Sequence, residues 1–448
     1  MAASHTPNHH LRALIGETGW SGEQFAREVN RVGRASGLAL RYDRTSVAHW
    51  LSGSKPGHPV PALVAEVLSR ALRREITVEQ THLLRVPGPP PAPGADQVFT
   101  TLARPTSGRG RPGPVYTVTG PGVAPYARPT ATWGAGAAPQ HPPSIGTEHV
   151  QAVKDLYTAF STMEENLGGG RARPALAGFL GSSLTTWLHA PAPPRIRRAL
   201  LRNASQLAYL AGFMCFDELN HGAAQAYYGA AARLAAEAAD PAAHAVVLRA
   251  LSVQAHYLGY RAHALDLARA AAGHLSALTV RQQSFVLGQY AVAAAGTGDR
   301  RAAFAHLERT RQLLESSDSG ADGFGHYHWA AYAHQEAETL ATLGDSTGAL
   351  AALGRSLRER PAAERRARAV TTARAAELYL DRGHLDRACA AWQTVLDDCQ
   401  HLDSARLRGA VAGMRTRLQT HRTSPAARTL LERARALAEA TRSRQRPS

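Results

Sequence analysis

The stretch Arg41-Tyr-Asp-Arg-Thr-Ser-Val-Ala-His-Trp-Leu-Ser-Gly-Ser-Lys-Pro56 predicts a short helix that ends at a glycine turn. Asp43 is a good N-cap residue, because its side chain can accept hydrogen bonds from the first free amides of the helix. Val47, Trp50 and Leu51 follow at i, i+3 and i+4, which places one apolar face toward a core. The other faces are left with small polar and basic side chains.

Polar residues of this kind on an exposed helix suit the major groove of double-stranded DNA. The candidate DNA-binding residues are Arg41, Arg44, Thr45, Ser46, His49 and Lys55. We expect Thr45, Ser46 and His49 to meet base edges. Arginine and lysine at helix ends more often hold phosphates, which fits Arg41, Arg44 and Lys55. A small helical docking domain with a polar face is the alternative.

Further helical patterns surround this helix and define a predicted domain over residues 1–86. A first helix is predicted from Asn8 to Thr18 and a second after the capping residue Ser21. A later helix is predicted from Val60 to Leu72, with Pro61 in its first turn.

The net charge of +16 favours a polyanionic partner, although the basic residues are almost all arginine. Residues 1–86 carry 11 Arg and Lys against 7 Asp and Glu, which is a modest excess. Residues 405–448 carry 11 arginines against two glutamates. We interpret this C-terminal charge as a solvated helix face rather than as a polyanion site.

Residues 87–147 are rich in proline and glycine, as in Pro-Gly-Pro-Pro-Pro-Ala-Pro-Gly. Because such a sequence has few apolar side chains with which to build a core, it predicts a flexible, disordered linker. The linker would separate the N-terminal domain from everything that follows.

Residues 148–448 have a helical pattern that repeats. A Gly-x-x-x-x-Ala turn followed by a helix begins at Gly259, Gly298, Gly344 and Gly383, and a weaker copy runs through Gly212. The alanines that anchor the five copies are Ala224, Ala264, Ala303, Ala349 and Ala388. The predicted fold is therefore all-α, with a C-terminal helical solenoid made of helix–turn–helix units.

The chain resembles two families. Gln24-Phe25-Ala26 and the run Thr45–Leu51, followed by Gly53 and Lys55-Pro56, resemble the lambda-repressor-type (XRE-like) helix-turn-helix family. Ala26 and Val47 are 21 residues apart, so the insert Asn30–Tyr42 must lengthen the second helix or form a loop. The helical units resemble tetratricopeptide repeats with a longer period.

The whole chain is similar to large actinobacterial regulators that join such a helix-turn-helix domain to tetratricopeptide-like repeats. The similarity includes residues 203–217 and 226–235, which resemble the start of the repeat domain in those regulators. It implies a cytoplasmic transcriptional regulator of development or secondary metabolism.

Other functional classes find little support in the sequence. The apolar runs are too short to span a membrane. Three cysteines without metal-ligand spacing fit a reducing cytoplasm. We find no nucleophile motif, phosphate-binding loop or His-Glu-x-x-His, so we predict no enzyme activity, no cofactor and no metal site.

The sequence thus predicts a DNA-binding transcriptional regulator. Its partners would be double-stranded DNA and a protein or peptide held in the repeat groove. We also expect a homodimer formed through the repeats, since two copies on adjacent half-sites bind more tightly than one. Two alternatives stay open, namely a repeat scaffold that binds only proteins and a sensor whose DNA binding responds to a peptide.

Overall fold

A computed structural model describes residues 7–35, 38–57, 59–83, 94–104, 114–118, 144–316 and 327–444, and every regular element in them is helical. The N-terminal helices are α1 (His9–Thr18), α2 (Gly22–Ala35), α3 (Arg44–Leu51), α4 (Val60–Leu72) and α5 (Ala95–Ala103). Next come α6 (Thr147–Leu167), α7 (Gly169–Phe179), α8 (Thr185–His189), α9 (Pro194–Asp217), α10 (His221–Glu237), α11 (Pro241–Tyr257) and α12 (Arg261–Ala272). The last are α13 (Val280–Gly296), α14 (Arg300–Glu315), α15 (Trp329–Thr342), α16 (Ser346–Glu359), α17 (Arg365–Asp381), α18 (Leu385–Asp398), α19 (Ala405–Leu418) and α20 (Pro425–Arg444).

The described residues form two compact units. The first is drawn from residues 1–154, 175–216 and 220–270, and the second from residues 155–174, 217–219 and 271–448. None of the described helices is long and apolar enough to cross a membrane. The all-α prediction is confirmed for the described part of the chain.

The first unit begins with α1 to α4, which pack around an apolar core that includes Phe25, Val47 and Leu63. The helix starts are those that the sequence predicts. Asn8 accepts a hydrogen bond from the amide of Leu11. Ser21 and Gln24 exchange side-chain-to-amide hydrogen bonds of 3.2 and 2.8 Å. An N-cap of this kind contributes about 1 kcal/mol to the stability of a helix.

Helix α4 is buried on more than one face. Leu63, Val64 and Leu68 belong to the core of α1 to α4. Glu66 is only 2% exposed, and it forms an ion pair of 2.5 Å with Arg70. Burial raises the pKa of Glu66, against the attraction of Arg70. Isolated surface helices keep such charges in water, so something other than the N-terminal core covers this side of α4.

Two parts of the segment 87–147, predicted as a flexible linker, are packed in the structure. Helix α5 buries Val98 and Phe99, and the ring of Phe99 stacks on Tyr227 of α10 with centroids 6.2 Å apart. Residues 114–118 bury Tyr116. The remaining predicted linker, apart from residues 144–147, lies outside the described residues, and the domain boundaries stay a prediction. Helix α5 was not predicted, because its apolar residues are few and prolines and glycines flank it.

The repeats consist of paired helices, as the sequence predicts. Helices α13 and α14, α15 and α16, and α17 and α18 pack in pairs within the second unit. All five predicted anchors are 0% exposed and lie on the second helix of a pair: Ala224, Ala264, Ala303, Ala349 and Ala388. The tetratricopeptide-like helical repeat is therefore confirmed, with alanine at the positions where helices approach closely.

The glycines five residues before these anchors turn the chain with positive φ. Gly298 and Gly344 have φ of 84° and 90°, which only glycine adopts at little cost. The first copy differs from the prediction. Gly212 lies inside α9, where a Cβ would meet the ring of Tyr228 at 2.7 Å, and the turn position belongs to Leu219, with φ of 56°.

Several ion pairs in the second unit join residues that are 36 positions apart. Arg374 contacts Glu338 at 3.0 Å, and Arg417 contacts Asp381 at 2.6 Å. Arg433 contacts Asp397, also at 2.6 Å. Each pair therefore links one repeat to the next. Several arginines of the basic C-terminal region are thus used within the repeats, in agreement with a helix face rather than a free tail.

A buried charged cluster lies elsewhere in the second unit. Glu164 of α6 and Arg366 of α17 form an ion pair. Nearby, Asp217 accepts a hydrogen bond from the hydroxyl of Ser404 at 2.9 Å. Burial raises the pKa of Glu164 to about 7, and this effect exceeds the opposing attraction of Arg366. The cluster makes the stability of this unit sensitive to pH near neutrality.

We expect Gly298→Ala and Gly344→Ala each to lower the free energy of unfolding by about 1 kcal/mol. A Cβ at either position meets no atom within 4 Å, so the cost comes from backbone strain alone. Urea unfolding followed by circular dichroism measures the change. Gly413→Ala is the matched control and should stabilise, because Gly413 lies inside α19 without positive φ and a Cβ there also meets no atom within 4 Å. Equal stability of all three variants would contradict this reading of the turns.

We expect the free energy of unfolding to decrease between pH 5 and pH 8 because of Glu164. Its raised pKa means that the folded state binds the proton more tightly than the unfolded state does. The stabilisation is therefore complete below the ordinary pKa of glutamate and is lost as the pH rises through about 7. Glu164→Gln should flatten this pH dependence in urea titrations, whereas Glu359→Gln, at an exposed position of α16, should not. An unchanged slope in Glu164→Gln would show that the pair stays ionised.

Candidate nucleic-acid interface

Helix α3 is held at its N-terminus by a complete capping box. The amide of Ser46 donates to the Asp43 carboxylate at 2.8 Å, and the amide of Asp43 donates to the Ser46 hydroxyl at 3.4 Å. The Ser46 hydroxyl also donates to Asp43 at 2.8 Å. Asp43 is therefore the N-cap that the sequence predicts. Ser46 was predicted to contact a base edge, but its hydroxyl is hydrogen-bonded to Asp43 within the cap.

The cap also fixes the charge at this end of the helix. Hydrogen bonding to the backbone of Ser46 lowers the pKa of Asp43, so the carboxylate is ionised at neutral pH. Helix N-termini commonly bind phosphate through their free amides and positive dipole end. In α3 the carboxylate of Asp43 already holds that place. Any contact of α3 with a phosphate must therefore come from side chains rather than from the amides at the N-terminus of the helix.

The inward face of α3 is apolar. Val47 is 1% and Trp50 4% exposed, and burial of side chains of this size contributes about 1.5–3 kcal/mol each. The ring of Tyr42 meets that of Trp50 edge-on, with centroids 4.9 Å apart. At the start of α2, a Cβ on Gly22 would lie 3.7 Å from Val47. These contacts fix the rotation of α3 about its own axis, and so they determine which side chains point outward.

The insert between α2 and α3 both lengthens α2 and forms a loop. Helix α2 continues to Ala35, and the side-chain amide of Asn30 then holds the returning chain. It donates to the carbonyl of Tyr42 at 2.7 Å and accepts from the amide of Tyr42 at 2.9 Å. A Cβ on Gly33 would overlap the side chain of Leu40, so the loop lies directly against the helix. Sequence reasoning missed Asn30, although asparagine is an uncommon choice inside a helix.

The outward face carries most of the predicted DNA-binding residues. Arg44, Thr45 and His49 are exposed on α3 itself. Arg41 precedes the helix and Lys55 follows it, and both are exposed. The structure thus brings the predicted residues onto one short element, with basic groups before, within and after it. Such an arrangement can offer base contacts from the helix and phosphate contacts from its ends.

Other sites find no comparable geometry. In the described residues, no group of three His, Cys, Asp or Glu side chains could hold a metal ion. Polar residues on the first helices of the repeats are packed between helices. Gln254 is fully buried and donates to the carbonyl of His221 at 2.8 Å, and the His334 ring lies 3.2 Å from the hydroxyl of Thr371. Burial lowers the pKa of His334 to about 4, so this ring is neutral at neutral pH.

The profile of a family described as the SP15 N-terminal domain matches residues 11–83, which span most of α1, all of α2 to α4 and the turn after them. No curated protein matches the chain. Among solved structures, the chain is similar to one in the "Crystal structure of APC/C hetero-tetramer Cut9-Hcn1", with 16% identity and a TM-score of 0.33. That match covers 64% of this chain and 47% of the other, and so low a score carries no argument about fold or partners.

We expect Asn30→Ala to weaken the attachment to α2 of the segment that leads into α3. The substitution removes two hydrogen bonds to a partly buried backbone, each with a net value of about 1 kcal/mol. Amide hydrogen exchange should rise at Tyr42 and along α3 while α1 stays protected. Arg31→Ala, which changes an exposed neighbour on α2, is the control. Unchanged protection of Tyr42 in Asn30→Ala would show that packing of Leu40 alone holds the loop.

Proposed function

We propose that this protein is a sequence-specific DNA-binding transcriptional regulator. The observation that supports this proposal is the outward face of α3, where Arg44, Thr45 and His49 are exposed between two further basic residues. The helix is rigidly capped and packed, which a base-reading element requires. In the proposal α2 and α3 act as a helix-turn-helix, and α3 enters the major groove.

The side chains divide into two roles. Thr45 and His49 are proposed to contact base edges, while Arg41, Arg44 and Lys55 hold phosphates. Ser46 contributes indirectly, because its hydroxyl completes the cap of Asp43. This division predicts different consequences for the two groups. Loss of a phosphate contact weakens binding to all sequences, whereas loss of a base contact relaxes the choice of sequence.

The repeats are proposed to supply the regulation. Helical repeats offer extended surfaces for peptides and partner helices, so a protein or peptide effector would bind there. A homodimer would place two copies of α3 on adjacent half-sites and raise the affinity of a small reading element. A regulator of this kind would act in the cytoplasm. The sequence resemblance favours development or secondary metabolism as its target.

A repeat scaffold that binds only proteins is the second candidate. Trp329 of α15 and Phe304 of α14 are large apolar side chains that are 41% and 39% exposed. The guanidinium of Arg300 lies over the Phe304 ring at 5.3 Å. Aromatic and arginine side chains are common at the centres of protein interfaces. This candidate needs no role for the face of α3.

Genomic fragments retained by the full-length protein should share a motif when they are sequenced. We expect Arg44→Ala to weaken binding to all fragments and to lower the slope of log affinity against log salt by about 0.9. We expect His49→Ala to reduce the base preference at one position of the motif, with a loss of about 1–3 kcal/mol of binding free energy for the preferred base.

Arg301→Ala is the control with the same change of charge, at an exposed position of α14. It should leave the motif intact. Diffuse retention that disappears as salt is raised, equally in all variants, would mean simple attraction of polyanions. The proposal would then fail, and the scaffold would be preferred.

A further inference from the structure

A short piece of the predicted linker is bound to the first repeat pair as a peptide would be. The side-chain amide of Gln225 in α10 forms two hydrogen bonds with the main chain of Thr117. Its Oε1 accepts from the Thr117 amide at 3.0 Å, and its Nε2 donates to the Thr117 carbonyl at 2.7 Å. The carbonyl of Pro114 lies over Gly222, so closely that a Cβ there would overlap it. The contact is thus made through main-chain atoms and requires a glycine.

The tyrosine between these two contacts is the anchor. Tyr116 is 2% exposed, and its ring stacks on that of Tyr260, with centroids 5.6 Å apart and an interplanar angle of 13°. The hydroxyl of Tyr260 in turn reaches the main-chain carbonyl of Glu66 in α4 at 3.4 Å. The two rings therefore connect the segment, a repeat and the N-terminal helices, and they help to cover the buried pair of Glu66 and Arg70.

The neighbouring valine completes the connection. Val115 packs against the apolar core of α1 to α4, while Thr117 is held by α10. One segment of four residues thus contacts the N-terminal domain through the Val115 side chain, and the repeats through the Tyr116 ring and the main chain of Thr117. Because the segment is covalently part of the chain, its effective concentration at this site is raised, and weak contacts suffice to keep it bound.

We infer that Gly222, Gln225 and Tyr260 form a peptide-binding site, and that this chain's own Pro114–Thr117 segment occupies it and fastens the N-terminal domain to the repeats. The site fits an uncharged, extended peptide with a tyrosine flanked by small or β-branched residues. Gln225 recognises main-chain groups at one residue, Gly222 admits a close carbonyl, and Tyr260 selects an aromatic ring. The inference does not depend on DNA binding.

Amide hydrogen exchange of the full chain tests this inference. We expect Tyr116→Ala to raise the exchange rate of the Thr117 amide about tenfold or more and to raise exchange in α4 around Glu66. Tyr116→Phe keeps the stacked ring and should resemble the wild type. Gly222→Ala should release the segment from the other side, although alanine in α10 favours the helix itself. Unchanged exchange at Thr117 in both Tyr116→Ala and Gly222→Ala would overturn the inference.

An added peptide separates a binding site from a merely structural contact. The probe is acetylated and amidated Pro-Val-Tyr-Thr-Val, the sequence of residues 114–118, at millimolar concentration. It should restore protection of α4 in the Tyr116→Ala chain but not in the Gly222→Ala chain, where the carbonyl cannot approach. Failure to restore protection in Tyr116→Ala, or equal restoration in both chains, would show that no such site exists.

Discussion

The close approach of paired helices at fully buried alanines is the constraint on which the repeats depend. Ala264 and Ala303 have no exposed surface, and a larger side chain there would push two helices apart. The tight turns serve the same end. Glycine at Gly259 and Gly298 allows positive φ, so the second helix starts within a few residues of the first. Small residues thus determine the architecture, and the larger apolar residues fill what remains.

Helices α3 and α4 lie in one small domain but differ in how much of their surface is buried. Helix α3 buries only Val47 and Trp50 on one side and leaves its polar face to solvent. Helix α4 is covered almost throughout, and even Glu66 is removed from water. The domain therefore has one face that can meet a partner and one that is committed to its own chain. A change in the repeats that moves Tyr260 would therefore reach α3 through α4.

Helix bounds in the N-terminal domain and the repeat anchors could be predicted because both depend on local sequence. Caps such as Asp43 act within one turn, and Ala349 is marked by the glycine five residues earlier. Contacts between distant parts of the chain were not predictable in the same way. Nothing near Tyr116 shows that it stacks on Tyr260, which is 144 positions away. The use of Ser46 within the cap was missed because a serine hydroxyl suits both a cap and a base contact.

The ion pairs that join Arg374 to Glu338 and Arg417 to Asp381 have a mechanical consequence. Each ties a helix to its counterpart in the adjoining repeat. A force applied to the C-terminal end would load the pair of Arg433 and Asp397 first. Unfolding from this end should then be resisted at α19, because Arg408 also contacts Glu218, 190 positions earlier in the chain, at 3.2 Å.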